Sequence, residues 1–458
     1  MFKKLFAVII LILSLNISRA EARDIYVKLG GGSANIASDG DMILSSNNAG
    51  AVPLGRSASL NISGSNVNVN GRAFALPVRI TSSSLLKFNG RSYRGAFVVT
   101  QKAGLLNVLD LELYLRGVLP AEVGAAWPME ALRAQAIISR TYVLRQSINN
   151  RANKGYDVVD TDSDQVYKGA DVETAKTNQA VASTAGEIVA YNKTLAFTPF
   201  HSDSGGYTAS NADVWGKSFP YLQGVPEAVE YKSPVSSWSV KISRSHIAKS
   251  IAKIAGNLGS IIEVRVTETD AGGRAIGITV VGTKGRKTMK ASQFRLAVGP
   301  RLLKSTMLTP YATGANNNNK NNNNKAKAQV VKVPELSITQ GQKLAQMTAA
   351  GVFTSTEMID MLTNPERENY YYKIGLERSS GGKNLKPVQN VRPMPSFGGM
   401  SGGFSVAADG EDFIFYGKGW GHGVGLSQWG SQAMAQKGWT AEKILTHYYP
   451  GTNITGYK

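Results

Sequence analysis

Cysteine is absent from this 458-residue chain. That excludes disulfide staples, thiolate zinc sites, a cysteine nucleophile and a lipid-modified N-terminal cysteine. Charge is also scarce: Asp, Glu, Lys and Arg together make 18% of the residues, below the usual level of about a quarter. Acid is the scarcer sign, with 32 acidic side chains against 51 basic ones and a net charge of +19. Histidine occurs four times, without the HExxH-type spacing of a metal site. No apolar run beyond the N-terminal segment approaches the roughly 20 residues that a membrane span needs. Glycine and proline, 48 and 16 residues, are too few and too irregular for a collagen-like or linker-type chain. What remains is 42% apolar residues, enough to bury a sizeable core.

The N-terminal segment has the composition of an address. Met1-Phe-Lys-Lys is a short basic start, Leu5 to Leu15 is almost unbroken apolar sequence, and Ala20-Glu-Ala22 supplies small residues for cleavage. Residues 1–22 therefore read as a secretory signal, with an uncleaved anchor as the alternative. In an exported chain, a basic balance suits anionic envelope polymers or lipid better than nucleic acid. The excess is local: Lys241 to Lys304 holds 13 basic residues, opposed only by Glu263, Glu268 and Asp270. A solvated basic face without a partner is the plainer alternative.

Patterning suggests an α+β fold. From residue 23 to 112 short alternating stretches such as Asp24-Ile-Tyr-Val-Lys-Leu and Val67-Asn-Val-Asn, punctuated by Gly and Asn, predict strands. Residues 113–311 form the expected mixed core. Its clearest helix runs from Met129 to Gln146, with Leu132, Ala136, Ser139 and Val143 on one face and Pro128 and Glu130 at its start. Ile262–Val266 and Ala275–Val281 predict a hairpin. The asparagine-rich tract within 312–410 cannot build a core, so that stretch is expected to be a flexible insertion with short helices, including one within Leu344–Leu362. Residues 411–458 complete the core, with a helix near Ser427–Lys437 ended by Gly438 and a second helix capped by Thr440.

Three segments could carry chemistry. Glu122 is a lone carboxylate among apolar residues just before the Met129 helix. It is a candidate for a raised pKa and proton donation, or simply a surface acid near a helix start. Phe200-His201-Ser202-Asp203-Ser204-Gly-Gly206 is a binding loop or a tight turn; its Ser and His are too close in sequence to be read as a triad. Gly417-Lys-Gly-Trp420-Gly-His422-Gly-Val-Gly-Leu-Ser-Gln428-Trp429-Gly430 lets backbone approach a ligand and offers tryptophan faces to sugar rings. It does not fit a nucleotide loop, and a packed glycine-rich turn is the alternative. His201, His422 and His447 could gather around a metal in the fold, but no HExxH-type spacing supports one, and metal is the lesser reading.

Taken in order, these segments resemble the stage II sporulation protein D family, which includes the amidase-enhancer domain. The resemblance rests on Tyr114-Leu-Arg-Gly-Val-Leu-Pro-Ala-Glu122, Glu130 to Tyr142, Asp164-Gln165-Val-Tyr167-Lys-Gly169, Phe200 to Tyr207, Val214-Trp215 with Pro220-Tyr-Leu, Gly419 to Gly430, and His447-Tyr-Tyr-Pro-Gly451. It implies an exported protein of the periplasm or cell envelope, or a secreted one. It further implies peptidoglycan as substrate and lytic transglycosylase activity on peptide-stripped glycan strands, with Glu122 as the catalytic acid. Gln165, Tyr167, His201, Ser202, Ser204, His422, Gln428 and Trp429 would then line the glycan site. The enhancer members imply the alternative of a non-catalytic wall binder with a wall amidase as partner. Neither reading needs nucleic acid or a transmembrane span after signal cleavage. Zinc-binding members carry Cys and His near the Gln-Val-Tyr block. Asp160-Thr-Asp-Ser-Asp164 has neither, so no metal or other cofactor is expected.

Overall fold

The computed structural model describes residues 23–46, 49–310 and 403–457, with single positions at 347 and 372. The expected signal segment, the asparagine-rich tract and the helix within Leu344–Leu362 lie outside the described residues. Eight helices and several sheets make up the described fold, which is α+β with a strand-rich N-terminal region.

Ten strands come first. They are β1 (Asp24–Gly30), β2 (Ser33–Ser46), β3 (Gly50–Ser63), β4 (Asn66–Val69) and β5 (Arg72–Ala75), then β6 (Val78–Ser82), β7 (Leu86–Phe88), β8 (Arg91–Tyr93), β9 (Ala96–Thr100) and β10 (Gly104–Asp110). Joined at one edge by β11 (Val158–Val159), they order as β11-β1-β10-β9-β6-β2-β3-β4-β5, with β7 paired to β2 and β8 to β7. Strand β1 shows the reason for the pairing. Its alternate residues Ile25 and Val27 are fully buried, so its antiparallel register with β10 is fixed by which face must be dry.

Helix α1 (Leu111–Glu122) follows β10 without a loop, because the Asp110 side chain accepts from the Glu112 and Leu113 amides and caps it. This helix was not anticipated. Gly117 and Pro120 read as breakers, yet the buried run Tyr114, Leu115, Val118 and Leu119 holds the segment helical. Glu122 is therefore the last residue of a helix, not a loop residue ahead of one.

Helix α2 (Met129–Lys154) runs further than expected, ending at Gly155 in the left-handed region. Pro128 stands at its N-cap. Leu132, Ala136, Val143 and Leu144 pack into a core shared with the N-terminal sheet and α1, while Ala134, Ile137 and Ile138 face a second core. The helix is thus buried on two sides, and Arg140 is fully buried with it. Arg140 grips both Glu112 oxygens, at 2.8 and 2.6 Å, and donates to the Glu187 carbonyl at 3.1 Å. Beyond it lie α3 (Ala175–Ser183), β12 (Glu187–Tyr191), β13 (Thr194–Leu195), β14 (Phe200–His201) and α4 (Asn211–Trp215).

A separate core is built by the basic stretch and the chain that returns at residue 403. Its elements are β15 (Trp238–Ser243), α5 (Arg244–Ala255), β16 (Ile261–Thr269), β17 (Ala275–Gly282), β18 (Gly285–Lys290), α6 (Ala291–Val298), β19 (Leu308–Thr309), β20 (Ala407–Asp409) and β21 (Asp412–Gly417). The expected hairpin is β16–β17, extended by β18. Ile247, Val264, Ile278, Phe294 and Phe413 pack at its centre. The chain ends in β22 (Leu426–Ser427), α7 (Gln428–Gln436), α8 (Ala441–Tyr448) and β23 (Asn453–Gly456). Gly438 closes α7 at φ 82°, and Thr440 caps α8 as the sequence suggested. Among the described residues no helix is long and apolar enough to cross a membrane.

Candidate active site

Two of the recognised segments are more than 200 residues apart in sequence but adjacent in space. Strands β14 and β22 pair in parallel, Phe200 opposite Leu426 and His201 opposite Ser427, and Asp203 bridges to Trp420. At Gly421, φ 121°, a Cβ would stand 2.6 Å from His201 Cβ, so only glycine permits this approach. The pairing brings the start of α7 against the end of α1, where Glu122 lies.

Glu122 is partly buried. Its Oε1 accepts from the Val166 amide at 2.6 Å, and the Gln428 side chain donates to the same carboxyl group. Burial pushes its pKa up to about 7; the two donors pull down, and Asp162 pushes up. The negative C-terminal end of α1 acts in the same direction as burial. Trp127, from the loop after α1, and Trp429, the residue after Gln428, have ring centroids 5.3 Å apart. Both rings are partly exposed. The arrangement suits a group that both gives and takes a proton near neutrality, and the Trp127–Trp429 pair offers faces on which a sugar can stack.

The other expected site residues divide. Gln428 stands at the carboxyl group through α7, and the Trp429 ring packs on Trp127. Gln165 and Tyr167 do not line an open surface as expected. Gln165 is fully buried and accepts from Tyr114 at 3.0 Å, and Tyr167 is 1% exposed and donates to Asn107 at 2.7 Å. They pack behind the Val166 amide and set its position, because they alternate with Val166 and face inward. His201 is likewise buried, with Nδ1 3.2 Å from the Val424 carbonyl oxygen, and burial holds its pKa well below the usual value. His422 packs 5.5 Å from the His201 ring and 4.8 Å from Trp215; its Nδ1 accepts from the Val424 amide at 3.0 Å. Burial, with the Arg295 charge next, pulls His422 down to about 3, so both imidazoles are neutral and shape the loop. Ser202 is partly exposed, and its carbonyl accepts from the Trp429 amide at 3.0 Å. Ser204 is fully buried and donates to Glu227 at 2.5 Å. His447 hydrogen-bonds to the Pro226 carbonyl at 3.0 Å, apart from the other two histidines.

Sequence reasoning passed over Glu227, Tyr231, Tyr448 and Arg274. Glu227 lies in an irregular segment with no periodic pattern to single it out. Arg274 belongs to the basic stretch but is 2% exposed, and its guanidinium donates to the Ser204 and Tyr207 carbonyls. Arg295 is also buried, so the basic stretch is not wholly a surface feature.

Among the described residues no cluster of three or more His, Cys, Asp or Glu is arranged to hold a metal ion. In the Asp160–Asp164 segment, Asp164 accepts from Tyr142 and Gln146 at 3.0 Å each and from the Val159 amide at 2.9 Å. A cavity of about 490 Å³ lies in the N-terminal sheet, around Gly30–Gly32, Phe88 and Asn89. It has no titratable lining, so Glu122 remains the better candidate for chemistry.

Residues 99–191 match the family model described as stage II sporulation protein. That window contains Glu122, Gln165 and Tyr167 and ends before His201. Over 357 residues the chain is 28% identical to the amidase enhancer of Bacillus subtilis (strain 168), covering 75% of this chain but only 40% of that protein. It is 27% identical over 361 residues to stage II sporulation protein D of the same organism, covering 76% and 75% of the two chains. An uncharacterized protein of Brachyspira hyodysenteriae is 26% identical over 372 residues, covering 81% of this chain and 74% of its own.

Proposed function

We propose that this chain, a member of the stage II sporulation protein D and amidase-enhancer family, is a lytic transglycosylase of peptidoglycan glycan strands. A cell-wall role follows from the family; the reaction is our reading. The observation that carries it is Glu122: one partly buried carboxyl group with a pKa of about 7, held by the Val166 amide and the Gln428 side chain.

One such group suffices. Protonated Glu122 gives its proton to the glycosidic oxygen as the bond from that oxygen to the muramic C1 breaks. The carboxylate then takes the proton of the muramic 6-hydroxyl while O6 bonds to C1, closing a 1,6-anhydro ring. No water is consumed, and Glu122 ends protonated as it began. A pKa near neutrality serves both halves, since a stronger acid would be a poorer base. Ordinary glycoside hydrolysis uses a second carboxylate, as base toward water or as the nucleophile at C1; here the internal 6-hydroxyl makes the attack.

The test is to incubate peptide-free glycan strands with the protein and identify the new ends by mass spectrometry. Anhydromuramic ends are expected. Reducing ends would make the protein a hydrolase, and intact strands would remove the enzymatic reading.

A second reading is favoured by the basic surface and the amidase-enhancer relative: a wall-binding protein that activates an amidase. Binding to sacculi without any cleavage, together with a faster amidase, is its signature.

A further inference from the structure

The geometry points to Glu227 as a positioning residue, which clamps the first turn of α7 and so holds the Gln428 side chain on Glu122. This rests on the reading of Glu122 as the acid.

Four parts of the chain converge on the Glu227 carboxylate. Ser204, from the loop after β14, donates to Oε1 at 2.5 Å. Tyr448, from α8, donates to Oε2 at 2.5 Å. Tyr231, from Glu227's own segment, reaches Oε1 at 3.4 Å, Asp203 at 3.1 Å and the Ser427 hydroxyl at 3.2 Å. Ser427, the N-cap of α7, also hydrogen-bonds to Glu227 and receives the Ser204 amide at 3.3 Å. The Glu227 amide donates to the Gly206 carbonyl at 3.0 Å, fixing the backbone that carries the carboxylate. Gly430 completes the fit, since a Cβ there would overlap both the Glu227 carboxylate and the Tyr448 hydroxyl. The carboxylate is thus built into the first turn of the helix whose next residue, Gln428, touches Glu122.

The charged and titratable groups around the two carboxyl groups are few. Asp203, Tyr231 and Tyr448 face Glu227, with Arg274 balancing Asp203. Asp162, Tyr114 and Tyr142 bear on Glu122. Asp164 stands next to Tyr142. His447 bonds to the Pro226 carbonyl next to Glu227 and packs on the Tyr448 ring.

The experiment compares Glu227→Gln, Tyr448→Phe and Gln428→Ala with the parent protein. Tyr448→Phe keeps the ring and removes one donor, and so covers the case in which Glu227→Gln does not fold. The first readout is the titration of the Glu122 side-chain carbon by NMR, which needs no substrate. Because Gln428 donates to the ionised carboxylate, loosening it should raise the Glu122 midpoint by about one unit in all three variants. The second readout is the alkaline limb of glycan cleavage, which should move up with that midpoint, whereas a purely structural loss would lower the rate at every pH. An unchanged Glu122 midpoint in folded Glu227→Gln or Tyr448→Phe overturns the clamp, as does an unchanged midpoint in Gln428→Ala. Absence of cleavage by the parent protein would sink the enzymatic reading, and the NMR titration would still decide the clamp.

Discussion

Glu122 is costly to the fold in its ionised form. Its carboxyl group is held at about 7 in the folded chain against an ordinary 4.5, so the native state keeps its proton longer than the unfolded chain does. A group raised in this way contributes stability that is present below pH about 4.5 and lost as pH rises through about 7. The difference is worth about 3 kcal/mol at most. Glu122→Gln should therefore leave stability unchanged near pH 4 and raise it by about 1–3 kcal/mol near pH 8, as read by urea unfolding at the two pH values. Equal unfolding curves at the higher pH would mean that the carboxyl group is not held as described. At this scale the sequence was half legible. Glu122 could be singled out as a lone acid among apolar residues, and Gln428 and Trp429 as parts of a glycine-rich block. Tyr167 and Gln165 could not be told from ligand-facing residues, because polar atoms that hydrogen-bond inward look the same in sequence as those that point outward. Glu227 was invisible for the opposite reason: its partners come from four separate places in the chain.

Elements explain why the residues meet. Helix α2 was readable because its buried face repeats at helical spacing, and even there its second buried face was hidden by Gln135, Arg140 and Thr141. Helix α1 carries Gly117 and Pro120, which weaken a helical reading of the sequence, and burial of Tyr114, Leu115, Val118 and Leu119 overrides them. The joint between α1 and α2 is the bidentate pair of Glu112 with Arg140, whose side chain is wholly buried. Glu112→Gln removes the opposite charge from a guanidinium that has no access to water. A cost of about 3–5 kcal/mol is expected, measured as a lowered unfolding free energy. A cost below about 1 kcal/mol would mean that the pair behaves as a surface one. At the other side of the site, Gly430→Ala places a methyl group against Glu227 and Tyr448. It should cost about 1–3 kcal/mol of stability, and the same substitution at exposed Gly456, where a Cβ meets nothing, should cost less.

On the scale of the whole molecule, the basic excess and the Glu122 carboxyl group lie on different cores. Glu122 sits where the first core meets the α7 and α8 core. The basic excess sits on the third, where Lys249, Lys253, Lys284, Arg286, Lys287 and Arg301 are exposed. Other basic residues of the stretch are committed: Lys241 pairs with Asp409 at 2.6 Å, Arg265 with Glu263 at 2.8 Å, and Arg274 and Arg295 are buried. The net charge was legible in composition, but this partition was not, because composition cannot tell a strut from a surface. Binding to sacculi should weaken as salt rises through about 0.1 M, where screening shortens to about 10 Å. Lys249→Glu, Lys253→Glu and Lys287→Glu together should release the protein at lower salt; pelleting that ignores both salt and these changes would assign the face no role.

The central claim is that Glu122 is the acid that starts glycan cleavage, and it is tested most directly by product analysis across pH. Peptide-free strands would be exposed to the parent protein and to Glu122→Gln, and anhydromuramic ends counted by mass spectrometry. The account predicts such ends from the parent protein alone, in amounts that fall as pH rises above about 7, where Glu122 loses its proton. Equal yields from Glu122→Gln would contradict it.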